Sequence, residues 1–150
     1  MAITSAICNS FKQEILVGTH NFTASTGDTF KIALFTSSAT LGASTTAYSA
    51  TNEITNDAGS AYTAGGEDLT SVTPVLDSST AVCDFSDVSW TSATFTANGA
   101  LIYNTTTDGG SGTTDAVCVI AFGGDKTASN GTFKIEFPAN NSSAAIIRLA

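Results

Sequence analysis

Thr132-Phe133-Lys134-Ile135-Glu136-Phe137 places an apolar side chain at every second position, with Lys134 and Glu136 between them. Successive side chains of an extended chain point to opposite faces. The stretch therefore reads as a strand with Phe133, Ile135 and Phe137 inward and the two charges in water. Downstream, Pro138 to Ser143 carries turn residues, and Ala144-Ala145-Ile146-Ile147-Arg148-Leu149 closes the chain as a last apolar run. Upstream, Asp115 to Phe122 is apolar almost throughout, which predicts a buried strand stopped by Gly123-Gly124-Asp125.

The same reading extends towards the N-terminus. Thr29 to Thr36 is apolar on both faces in its second half and is expected to be a central strand. Leu69 to Leu76 contains Pro74, which lacks an amide hydrogen and so belongs on an edge or at a bulge. Thr80 to Phe85 follows a turn at Asp77-Ser78-Ser79. Val88-Ser89-Trp90, Ala93 to Thr96 and Gly99 to Asn104 read as three further short pieces, and Glu53-Ile54-Thr55 as a possible edge piece. Ser37 to Thr51 reads as a surface loop, Gly59 to Gly66 as turn chemistry around Tyr62, and Thr105 to Thr114 as a loop with a flexible Gly109-Gly110-Ser111-Gly112 tip. About eight or nine short strands at close spacing predict a mainly β protein: an antiparallel β-sandwich, jelly-roll-like.

The first segment has a different period. Ile3, Ile7, Phe11 and Ile15 recur every four residues, which predicts one amphipathic helix over Ile3 to Val17, capped by Thr4 or Ser5 and stopped by Gly18. Residues 1–18 are thus expected to be a helix or arm, and 19–150 a single β-sandwich domain. The apolar stripe packs either on that β core or on another subunit, so its four residues are candidate protein-interface positions.

Composition narrows the function. The chain has 150 residues, 13 acidic and 5 basic, and a net charge of −8. Nucleic-acid affinity comes from Lys and Arg neutralising phosphates, and anionic membranes attract the same residues, so neither partner is expected. No apolar run approaches the ~20 residues of a membrane span, and the N-terminus lacks the basic start and apolar core of a secretory signal. Cys8, Cys83 and Cys118 form no close pair and are expected to be free thiols, Cys83 and Cys118 buried in apolar runs.

The candidates for chemistry are few. His20 is the single histidine, at the expected helix exit, where a ring meets the last carbonyls. There is no Gly-x-Ser-x-Gly elbow for it to serve. Asp84 and Asp87 are close enough in sequence to suggest glycoside hydrolysis or calcium binding, although most of the carboxylates read as turn residues. Most aromatics fall in strand-like runs and read as core. Tyr48 and Tyr62 lie in loops, which makes them candidates for contact with a partner. No metal, cofactor or catalytic residue is expected.

One ordered series spans most of the chain: Phe30-Lys31-Ile32-Ala33-Leu34-Phe35-Thr36, Tyr62-Thr63-Ala64-Gly65-Gly66, Val88-Ser89-Trp90 and Ala97-Asn98-Gly99-Ala100-Leu101-Ile102-Tyr103-Asn104. It ends with Ala121-Phe122-Gly123-Gly124-Asp125-Lys126 and Thr132-Phe133-Lys134-Ile135-Glu136-Phe137-Pro138. The series resembles small structural proteins of tailed bacteriophages, in particular capsid decoration, or cement, proteins. The chain departs from that pattern in its cysteines and in the Thr-rich loop at 105–114.

The resemblance implies a jelly-roll-like virion protein on the capsid surface, made in the bacterial host cytoplasm. It also implies binding to the major capsid protein, self-association as a homodimer or homotrimer, and no enzymatic activity. The alternative is a tail- or fibre-associated virion protein that binds a host surface or glycan through loops around Tyr48 or Tyr62. A small hydrolase using Asp84 and Asp87 is the third reading.

Overall fold

The computed structural model describes residues 2–55, 57, 59–106 and 112–150. Its elements in chain order are β1 (Ala6–Ile7), α1 (Asn9–Leu16), β2 (Phe30–Phe35), β3 (Glu67–Leu69), β4 (Ser71–Asp77), β5 (Thr80–Phe85), β6 (Val88–Asn104), β7 (Ala116–Ile135) and β8 (Ile147–Leu149). They form a β-sandwich of two antiparallel sheets, with strand orders β1-β7-β6-β2-β3 and β4-β5-β8.

The central strand expected over Thr29 to Thr36 is β2, paired with β6 on one side and β3 on the other. Its continuous apolar run follows from cover on both faces of the large sheet. The face carrying Phe30, Ile32 and Leu34 shares its register with Ala100, Ile102 and Asn104 of β6. Phe30 stacks on Phe22 at 4.4 Å between centroids and meets Phe85 of the small sheet at 5.7 Å. The opposite face carries Ala33, Phe35, Leu101 and Tyr103, all buried. There the segment between β2 and β3 folds back, and Tyr48 stacks on Tyr103 at 4.5 Å.

Several short pieces are in fact two long strands. Val88-Ser89-Trp90, Ala93 to Thr96 and Gly99 to Asn104 are all β6, and the Gly123-Gly124-Asp125 segment does not stop β7. Bulges explain why they read as separate. Between the pairs Gly99–Ala121 and Ala97–Lys126, β6 advances two residues and β7 five, so three extra residues are absorbed in β7. Gly123 and Gly124 adopt φ of 72° and 138° there, which glycine tolerates because it has no Cβ. A second shift falls between Trp90 and Ala93. Beyond the glycines the β6–β7 ribbon keeps strand pairing and alternates: Trp90, Phe95, Ala97, Ala128 and Phe133 are buried, while Thr94, Thr96, Lys126 and Thr127 are exposed.

Pro74 behaves as its chemistry requires. It lies in β4, an edge strand, where the register with β5 shifts between Val72 and Val75. The stretch Leu69 to Leu76 is divided between the sheets, with Leu69 in β3 and Ser71 onward in β4. Glu53 makes an isolated bridge to Phe35. The loop tip at 109–111 lies outside the described residues.

The helix over Ile3 to Val17 is corrected to Asn9–Leu16, with Cys8 at the N-cap and no side-chain cap from Thr4 or Ser5. Residues ahead of it are extended: Ile3 bridges Leu41, and Ala6 and Ile7 pair with Val119 and Cys118. A spacing of four is even, so it keeps residues on one face of a strand as well as of a helix. Pairing with the free edge of β7 decides between them. Gly99 leaves room for this arm, since a Cβ there would lie 2.7 Å from Ile3 Cγ2 and 2.7 Å from the Ile120 carbonyl oxygen.

Candidate interaction surfaces

The N-terminal stripe packs on the chain's own core. Phe11 is buried, 5.1 Å from the His20 ring and 5.9 Å from Phe22 between centroids. Ile3, Ile7 and Ile15 are half-buried against the same core. Of the four, Phe11 is therefore not available to a neighbouring subunit, because its ring is already sealed between the loop after α1 and the large sheet.

His20 is sealed beside Phe11. Its partners are side chains and not the last helix carbonyls. Asn104 Oδ1 accepts from the Thr106 amide, so its amide nitrogen is the atom facing both Asp28 Oδ2 at 2.7 Å and His20 Nδ1 at 3.0 Å. Nδ1 must then accept, and Nε2–H donates to Glu14 Oε2 at 2.9 Å. The chain Glu14–His20–Asn104–Asp28 ties α1, the following loop and the end of β6 together. The histidine side chain is fully buried among Phe11, Phe22 and Phe30.

Tyr48 and Tyr62 belong to a second internal network. The buried Glu53 carboxyl group accepts from Tyr62 Oη at 2.6 Å, the Gly65 amide at 2.7 Å and Tyr48 Oη at 2.6 Å. Tyr62 Oη accepts in turn from the Leu34 amide, and Tyr103 Oη donates to the Gly65 carbonyl at 2.7 Å. Burial, followed by the bond to Glu53, pushes both Tyr48 and Tyr62 hydroxyls above their ordinary value, and burial pushes Tyr103 up to about 12. Tyr62 is thus corrected from a loop-borne contact residue to a buried one, and Tyr48 is held half-buried on Tyr103. Gly66 permits the close approach of this loop, since a Cβ there would meet the Ile32 carbonyl oxygen at 1.9 Å.

Asp84 and Asp87 stand in different surroundings. Asp84 is buried, and Oδ1 accepts from the Phe85 amide. Among the described residues Oδ2 has no partner within hydrogen-bond geometry, although the Ile146 amide also favours the charged form. Burial raises the Asp84 carboxyl above the usual range. Asp87 is exposed and ion-paired with Lys134 at 2.9 Å, which holds its carboxyl below that range. Cys8, Cys83 and Cys118 are buried free thiols, and burial lifts Cys8 to about 11 and Cys83 to about 12. A thiol this far above neutrality is almost entirely protonated and a poor nucleophile. Among the described residues, no three His, Cys, Asp or Glu side chains gather to hold a metal, and no helix is long and apolar enough to cross a membrane.

The surface feature not anticipated from sequence is apolar. Among the described residues, the exposed large hydrophobics are Leu16, Val17, Val75, Leu76 and Leu149. They sit on the C-terminal end of α1 and on the two edge strands of the small sheet. Leu16-Val17 next to the Ile15 stripe was the available signal.

The chain matches no protein-family model, no curated protein and no solved structure.

Proposed function

We propose that this chain is a bacteriophage virion structural protein: a capsid decoration protein that binds the major capsid protein on the outside of the head and stabilises contacts between its subunits. The observation that carries this reading is the ordered motif series from Phe30 to Pro138, which resembles such proteins over most of the chain.

The placement of those motifs supports it. They build the framework, and not an exposed cleft: Phe30–Phe35 is an interior strand, Tyr62 and Gly65 close the Glu53 network, and residues 99–104 lie at the sheet centre. The titratable groups with unusual surroundings are occupied in holding loops to sheets. A rigid body of this kind suits binding without large rearrangement, and a shell gains stability from a protein that binds its assembled form preferentially. The loops proposed for a fibre-like role lose their aromatic anchors, since Tyr62 is buried and Tyr48 is engaged by Glu53 and Tyr103.

The test is cosedimentation of the purified chain with heads of the encoding phage prepared without it, followed by thermal disruption of the heads. Saturable binding that raises the disruption temperature is expected. Heads that neither bind the chain nor change in stability overturn the reading.

A further inference from the structure

We infer that the concave side of β7 is a binding site for an amphipathic carboxylate, a small molecule with a hydrocarbon body and one anionic end. Were β7 straight, Phe122 and Phe133 would stand about 36 Å apart, at about 3.3 Å per residue. Their ring centroids are 6.1 Å apart. The strand therefore curls back over its own first half. Bulges at Gly123-Gly124 and at Asn130, which has a φ of 49°, supply the bend.

The fold-back forms a groove of about 620 Å³. Sites for small organic ligands span roughly 300–1,000 Å³ and are mostly apolar, with a few placed polar groups. This groove has that composition. Ile120, Phe122, Phe133 and Ile135 line it, Phe133 buried and the other three half-buried against the core. An alkyl chain laid along them leaves water for an apolar wall.

Charge selects an anion for the polar end of the ligand. The chain carries −8 with only 5 basic residues. Two of those, Lys126 and Lys134, line the groove against Asp125 and Glu136, so the rim is locally neutral in an acidic molecule. Three of these four groups are occupied. Asp125 Oδ1 accepts from Asn98 Nδ2 at 2.8 Å, and Lys134 pairs with Glu136 at 2.8 Å and Asp87 at 2.9 Å. Lys126 is the exception. Among the described residues it is the one basic side chain with no hydrogen bond or ion pair: Lys12 bonds Asn9, Lys31 pairs with Asp68, and Arg148 holds the Ser142 and Ser143 carbonyls. An unpaired ammonium beside an apolar wall is complementary to a carboxylate on a hydrocarbon tail. A cationic amphiphile would meet Lys126 and find both carboxylates of the rim already engaged.

The site is independent of the capsid reading, and its test uses the isolated full chain. The probes are octanoate and 1-octanol, charged and uncharged molecules of one chain length, titrated separately and followed residue by residue by NMR. Both are expected to give saturable shifts centred on Phe122, Lys126 and Ile135. Octanoate is expected to bind about threefold tighter, the size of one exposed ion pair. Lys126→Gln, at an exposed position, is expected to abolish that preference and leave octanol binding unchanged, whereas Phe122→Ser weakens both ligands. No saturable shift up to about 3 mM, beyond which affinity is negligible, overturns the inference. So do shifts centred on Leu16, Leu76 and Leu149, an octanoate preference that survives Lys126→Gln, or binding that Phe122→Ser leaves untouched. Cosedimentation with phage heads is unaffected by these outcomes, so the two claims fail separately.

Discussion

At the scale of single residues, the polar groups with unusual surroundings act as fasteners. Glu53 is the clearest: three donors from two different segments converge on one buried carboxyl group. Removing such an acceptor leaves buried donors unpaired, a cost of about 1–3 kcal/mol for each neutral group left without a partner. Asp84 is the converse, a buried carboxylate with one oxygen poorly satisfied. Its raised folded-state value means that the folded chain holds this proton more tightly than the unfolded chain. The associated stability is whole below the ordinary aspartate value near 3.8 and is lost as pH rises through the folded one. Asp84→Asn keeps the shape and removes the charge. It is expected to stabilise the protein at pH 7 by about 1 kcal/mol, the lower end of what an unpartnered buried polar group costs, and to show no gain near pH 3 in urea titrations. A loss at pH 7 would show that the charge itself is required, and a gain independent of pH would show that ionisation of Asp84 is not its cause. The residue scale was the least legible in the sequence. Asp84 and Asp87 stand three apart and look alike, yet the strand end seals one and leaves the other to Lys134. His20 gave no sign of its partner Asn104, which lies 84 residues away.

At the scale of elements, periodicity was a sound guide where only one period fits. Thr80 to Phe85, Phe30 to Phe35 and the alternation through Phe133 emerge as read, and Pro74 marks both an edge and a bulge. It misled where two periods coincide, as at Ile3 and Ile7, and where bulges interrupt one long strand, as at Gly123-Gly124. The consequence for the N-terminal arm is specific. Phe11 belongs to the core that also holds His20, Phe22, Phe30 and Phe85, so α1 is integral to the fold. Phe11→Ala is expected to cost about 3–5 kcal/mol in urea unfolding, and removal of residues 1–17 is expected to abolish the cooperative transition. A truncated chain that unfolds cooperatively with nearly unchanged stability would instead make the arm a detachable element.

At the scale of the molecule, the sandwich combines a densely tied interior with a mostly polar, acidic exterior and one apolar end. Fold class was legible because strand spacing and turn chemistry report directly on it. The apolar end was not, since Leu16, Leu76 and Leu149 are ordinary residues in sequence and become a surface only when α1, β4 and β8 meet. A decoration protein needs many identical copies, each making modest contacts whose sum holds a shell, and that requirement separates it from a tail or fibre component present in few copies. The most direct test is therefore the copy number of this chain in purified virus particles, by quantitative mass spectrometry against the major capsid protein. A ratio near one, or a simple fraction set by shell symmetry, is expected. A handful of copies per particle, or none, would contradict it.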